Sequence, residues 1–132
     1  MKQEDKELLL RDLCARLPYG VKVKFNNIHV LRLGTHTRVG EYVTDVTEPC
    51  KPYLFPLSSM TEKQKIECFE ETDIELDECN EIWSKFSSDT NTVITSLHNW
   101  LKVIDWLNKH HFDYRGLIEK GLAIDCTTLN IY

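Results

Sequence analysis

The chain has 132 residues, 42% of them hydrophobic and 28% charged, enough for a core inside one compact domain spanning residues 1–132. A net charge of -5 weighs against non-specific binding to nucleic acid or an anionic membrane, and no apolar run is long enough for a membrane span. Five cysteines without CxxC spacing, and the lack of a leader-like start, suggest a reducing cytoplasm rather than a zinc knuckle or redox dithiol.

The charge is unevenly placed. Residues 1–40 carry eight Lys/Arg against four Asp/Glu, residues 61–82 carry two against nine, and residues 83–132 carry five of each. Attraction between the two lobes inside one fold explains this most simply, and separate partner-facing surfaces are the alternative.

Residues 5–17 read as a helix from Leu8, Leu9, Leu13 and Leu17, with Asp5 as a candidate cap and Pro18 and Gly20 as the stop. VKVKF, 21–25, alternates with period two, placing Val21, Val23 and Phe25 on one face and Lys22 and Lys24 on the other. Asn26-Asn27 reads as a turn, IHVLRL, 28–33, as a second strand, and 35–46 as a third with a bend at Gly40. Together these predict an antiparallel meander. Lys22, Lys24, Arg32 and Arg38 form a candidate basic strip on it, for nucleic acid or, more simply, as a solvated sheet face.

Pro49, Pro52 and Pro56 exclude a central strand from 48–60 on sequence grounds, since proline lacks a donor. The apolar residues between them, Tyr53, Leu54, Phe55 and Leu57, suit a rigid loop packed across a core edge or walling a binding groove. Thr61 and Gln64 predict a capping box opening a helix to about Glu71, with Ile66 and Phe69 inward. Beyond it, the acids Asp73, Glu75, Asp77 and Glu78 read as a solvated turn rather than a cation site. Ile74 and Leu76 would allow a short strand, and Ile82, Trp83 and Phe86 a short helix. SSDTN, 87–91, reads as a turn and TVITSL, 92–97, as a strand. A helix from about Asn99 carries Trp100, Leu101, Val103, Ile104, Trp106 and Leu107.

HHFDYRG, 110–116, is the most chemically suggestive stretch. His110 and His111 fall at the end of that helix, Asp113 can cap a second, and Tyr114, Leu117, Ile118 and Leu122 give the second helix an apolar face ending at Gly121. Adjacent histidines diverge by about 100° on a helix, and HHFD lacks the spacing of a zinc motif, so no metal or other cofactor is expected. A small hydrolase-like or metal-dependent enzyme would draw on His110, His111, Asp113 and Cys126, provided they converge in a pocket. The preferred reading is mechanical: a joint between two helices. Residues 122–132 form a strand or a tail across the core. The predicted fold class is therefore α+β, a small antiparallel sheet of three to five strands against an N-terminal helix, a middle helix and a C-terminal helix pair.

KPYLFPLSSMTEKQ and WLNKHHFDYRGLIEKGLAID resemble two blocks of a family of small proteins from gut Bacteroidales genomes and their phages or mobile elements. Members look like KPYLRPLSSMTEEE in the first block and LNxHHFDYRGLIxxGLAxEAP, then GMY, in the second. This chain departs where Asp125-Cys126-Thr127-Thr128 replaces EAP and Asn130-Ile131-Tyr132 replaces GMY. The resemblance implies a phage or mobile-element setting and no established activity. The function expected is a non-enzymatic accessory protein binding a protein or peptide in a groove between the proline-rich loop and the 100–122 helices, with Tyr53, Phe55, Trp106, Tyr114 and Arg115 as contacts.

Overall fold

The first helix, α1, runs Gln3–Arg16 in the computed structural model, which describes residues 2–26, 28–43, 50–72 and 97–132. Its cap position is Lys2 with no side-chain cap bond, so Asp5 sits inside the first turn rather than capping it. There its charge still favours the positive helix end. A 3-10 turn at Leu17–Tyr19 and Gly20, at φ 66°, end the helix as the sequence predicts.

Strands β1, Lys22–Phe25, and β2, Ile28–Arg32, pair antiparallel through a turn in which Asn26 has φ 51°. Val23 lies opposite Leu31 but Phe25 lies opposite Ile28, so β2 carries one extra residue, a bulge. Leu9 and Leu13 of α1 close over Val21 and Val23, making one core cluster with Leu33, Val39, Val43 and Cys50.

The third predicted strand is absent from 35–43. Thr37 N–H donates to Gly34, whose own N–H donates to the Thr37 hydroxyl, and helix α2, Gly40–Val43, follows. Val39 and Val43, one helical turn apart, both reach the core from this short helix and the turn before it.

The strand excluded at the prolines is instead the middle of the sheet. β3, Lys51–Pro56, pairs antiparallel with β1 and parallel with both β4, Phe112–Asp113, and β5, Ile124–Asp125. Alternation places Pro52, Leu54 and Pro56 on one strand edge, so both missing donors fall on the same side. The other edge keeps its donors, and Phe55 N–H reaches the His111 carbonyl at 2.8 Å. The path β2-β1-β3-β4, with β5 also on β3, is thus a mixed sheet rather than an antiparallel one.

Thr61 and Gln64 form the predicted reciprocal cap, at 2.9 and 3.2 Å, on helix α3, Glu62–Thr72. Ile66 is 48% exposed, against expectation, and Cys68 is buried; the side chain of Phe69 lies outside the described residues. Helix α4, Leu97–Lys109, buries Val103, Trp106 and Leu107 beside Cys68, Met60 and Phe112, and leaves Leu101 52% exposed. Its predicted helical partner is not formed. Residues 114–121 are turns: Gly116 stands at φ 75°, a conformation the interior of an α-helix cannot include, while Gly121 at φ 74°, with Leu122 N–H on the Leu117 carbonyl, is the glycine stop that the sequence predicts. The architecture is α+β with one C-terminal helix, not a pair. Expectations for 73–96, the acidic run and TVITSL among them, lie outside the described residues.

Candidate functional site

His111 closes α4. Its N–H donates to Asn108 at 3.2 Å and its φ of 64° turns the chain out of the helix, a conformation glycine usually supplies. The next residue, Phe112, is already in the sheet. The mechanical reading of the joint therefore holds for its first half: the histidines convert a helix into a strand, not into a second helix.

Asp113 then organises the turns. One carboxylate oxygen accepts from Arg115 N–H at 3.2 Å and Leu117 N–H at 3.0 Å, and the other from Ile118 N–H at 3.0 Å. Both oxygens are committed to backbone donors, so the residue is a structural clamp rather than a free base.

His110 and His111 part company, as adjacent residues should. The His110 ring lies 4.1 Å from that of Trp106, and burial lowers its pKa from the ordinary value. His111 is buried, with its ring stacked 3.7 Å from that of Tyr132 at an interplanar angle of 10°. Burial, reinforced by the Arg16, His110 and Lys22 charges, pushes its pKa down to about 4, so the ring is neutral at pH 7. Cys126 is fully buried and its thiol is pushed up to about 11 by burial and by the Asp125 carboxylate. A thiol held protonated is a poor nucleophile. His110, His111, Asp113 and Cys126 are thus each engaged separately. Among the described residues no group of three His, Cys, Asp or Glu is placed to hold a metal.

Among the described residues, the side chains expected to line a peptide groove are engaged in the fold instead. Tyr53 and Trp106 are buried, the first within the central strand and the second in the core under α4. Phe55 is half-buried against Phe112. The Tyr53 hydroxyl crosses to the His29 carbonyl, satisfying a group that the β2 bulge removes from the ladder. Tyr114 donates to the Asn108 side chain at 2.9 Å and has the Arg16 and Arg115 guanidinium groups 5.4 and 5.1 Å from its ring centre. Its role is to knit α1 and α4 to the turns.

Asp12 and Arg16 were not foreseen as a buried centre. Both are fully buried; Arg16 Nε and Nη2 donate to the two Asp12 oxygens at 2.8 and 3.1 Å, and Nη2 also donates to the Phe112 carbonyl at 2.6 Å. Arg115 Nε approaches Asp12 at 3.4 Å from the far side. The signal was present: Leu9, Asp12, Leu13 and Arg16 share one stripe of α1.

The basic strip is the sequence-predicted site that the fold assembles best. Lys22 is registered opposite Arg32, and Lys24 opposite Lys51. Cross-strand partners share a face, and Lys22 and Lys24 share it by alternation. Four cations from three strands therefore occupy the face opposite α1, with exposed Val30 on the same side of β2. Lys51 was missed because its strand was. Arg38 does not belong: it precedes α2 and lies 3.8 Å from Glu41. At one end of the strip Leu17, Pro18, Gly20, Arg32, Leu33, Gly34 and Thr35 line an open cavity of about 330 Å³.

Comparison of the chain with protein-family models, with curated proteins and with solved structures found no match. No helix among the described residues is long and apolar enough to cross a membrane.

Proposed function

We propose that this chain is a non-enzymatic interaction protein, accessory to a phage or mobile element, that docks an acidic segment of a protein partner on its basic sheet face. The observation that carries the reading is the pairing of like charges, Lys22 with Arg32 and Lys24 with Lys51. Like charges directly opposite one another weaken a sheet. An anionic partner turns that cost into attraction and speeds association. An acidic peptide with apolar residues suits this face better than nucleic acid because the exposed Val30 offers it apolar contact that a phosphate backbone does not use. The committed state of Asp113 and the protonated thiol of Cys126 argue against an enzyme built on the histidine joint.

The test is titration with a fluorescent peptide alternating Glu with Leu, beside single-stranded and duplex DNA, at two salt concentrations. Peptide binding that weakens by about tenfold or more in Lys24→Glu/Lys51→Glu is the expected result, since rim charges act through long-range attraction. Tighter binding of DNA, with a steep salt dependence, would transfer the face to the nucleic-acid reading. Peptide binding indifferent to the charge reversal would remove the proposal.

A further inference from the structure

The segment after β5 returns to the basic face and covers one of its four cations. Lys22 Nζ donates to the Ile131 carbonyl at 2.7 Å and lies 5.4 Å from the centre of the Tyr132 ring. Lys22 N–H donates to the Tyr132 hydroxyl at 2.8 Å, and that hydroxyl donates to the Tyr53 carbonyl at 3.0 Å. The β1–β3 ladder has its last rung at Val23 and Pro52, so the tyrosine hydroxyl stands in for the next, between Lys22 and Tyr53. On its other side the ring stacks on His111. Lys22 is thereby held by the chain itself, while Lys24, Arg32 and Lys51 have no ion pair or side-chain hydrogen bond among the described residues.

The segment starts at the buried Cys126, whose N–H donates to the Leu54 carbonyl at 3.0 Å, and touches little else before Ile131. Thr127 to Asn130 are exposed, Tyr132 is 40% exposed, and the N–H groups of Thr127, Leu129 and Ile131 donate within residues 125–131. Beyond Cys126, its hold on the sheet is concentrated at Lys22, Tyr53 and His111, with the Tyr132 ring also 6.1 Å from that of Phe55. That hold is also chemically replaceable. Ile131 and Tyr132 offer two oxygen atoms to the two nitrogens of Lys22, and a carboxylate offers two oxygens to the same pair with a full negative charge, leaving the Tyr53 carbonyl, which the hydroxyl serves, to water. Hydrogen bonds to an ionised acceptor are the stronger kind.

We infer that Ile131 and Tyr132 form a latch over the Lys22 end of the basic face, and that an acidic partner docks there by displacing it. This rests on the acidic-partner reading of the face and adds its regulation. The latched state withholds one of four cations, so the partner's affinity is lowered by the population of open chains. A partner able to replace both latch oxygens gains over one that only approaches the exposed lysines.

The experiment uses the same Glu/Leu peptide with Tyr132→Ala, Tyr132→Phe and Lys22→Met, and follows the Tyr132 ring resonances of the unsubstituted chain. Tyr132→Ala is expected to tighten binding by about tenfold, because a closed state no longer competes. Tyr132→Phe keeps the ring and loses the hydroxyl bonds, so a smaller gain in the same direction is expected even if the alanine variant folds poorly. Adding Lys22→Met to either variant should erase the gain. In the unsubstituted chain, peptide should move the Tyr132 ring resonances away from their stacked positions. Unchanged or weaker binding in both Tyr132 variants, with Lys24→Glu/Lys51→Glu still harmful, would overturn the latch and leave the docking face standing. No effect of any of these substitutions would overturn both.

Discussion

Arg16 Nη2 donates to the Phe112 carbonyl at 2.6 Å, joining the last turn of α1 to the strand that follows the histidine joint. The same guanidinium is paired with Asp12, and neither side chain reaches solvent. Removing one member of a buried pair strands the other, at a cost of about 3–5 kcal/mol. Asp12→Ala should show that loss in full, because it leaves Arg16 and Arg115 facing each other without a carboxylate. The double change Asp12→Leu/Arg16→Met removes both charges but still orphans the Phe112 carbonyl. It should cost about 1–3 kcal/mol, less than Asp12→Ala alone. Urea denaturation of the three proteins checks the order, and equal losses in both variants would count against a charge-based account.

Asp113 is the single side chain on which the turns 114–118 depend, because one carboxylate satisfies three backbone amides. Asp113→Ala should destabilise by about 2–4 kcal/mol, since buried donors are left without acceptors. Asp113→Asn retains one acceptor oxygen and should lose about half as much. Hydrogen exchange at Leu117 and Ile118 reads the effect directly: these amides should become fast in the alanine variant while those of α4 stay slow.

These two centres differ in how far they can be read from the chain. Asp113 was legible as a cap because its partners lie within five residues. What it caps was not, since Gly116 at positive φ replaces the expected helix by turns, although Gly121 does supply the predicted left-handed stop. The Thr61–Gln64 box and the alternation of β1 were legible for the same local reason. The prolines misled because their penalty depends on which strand edge faces a partner, and that is decided by β1, β4 and β5 from distant parts of the sequence. Of the basic strip, Lys22, Lys24 and Arg32 were legible from alternation. Arg38 fell out and Lys51 came in because 35–43 form a turn and helix α2, and the strand beside β1 is Lys51–Pro56.

Gly20 serves two demands at once. It stands at φ 66°, and a Cβ there would fall 2.5 Å from Arg32 Nε and 2.8 Å from Nη2. The guanidinium is the exposed tip of a flexible side chain and can swing away, so backbone strain sets the cost. Gly20→Ala should destabilise by about 1 kcal/mol and Gly20→Asn by less, since asparagine tolerates the left-handed region better. The alanine variant should also shift the Arg32 Nε–H resonance, and an unmoved resonance would show that the two groups are not in contact.

His111 supplies a pH dependence with a definite sign. Its folded-state pKa of about 4 lies below the ordinary 6.5, because burial and the Arg16, His110 and Lys22 charges oppose protonation. A lowered histidine pKa means that the unfolded chain takes up the proton first. The stability it contributes is complete above about pH 6.5 and is lost as pH falls towards 4. With each pKa unit equivalent to about 1.4 kcal/mol, the loss over that window is at most about 3 kcal/mol. His111→Asn keeps a residue that accepts positive φ and removes the titration, at the expense of the stacking on Tyr132. Its stability at pH 7 should therefore be lower, but its decline between pH 7 and 4 shallower than that of the unsubstituted chain. The difference in slope between the two proteins reports His111 together with its coupling to His110. Denaturant midpoints measured across that range provide the comparison, and parallel curves would show that the imidazole is already accessible to protons in the folded state.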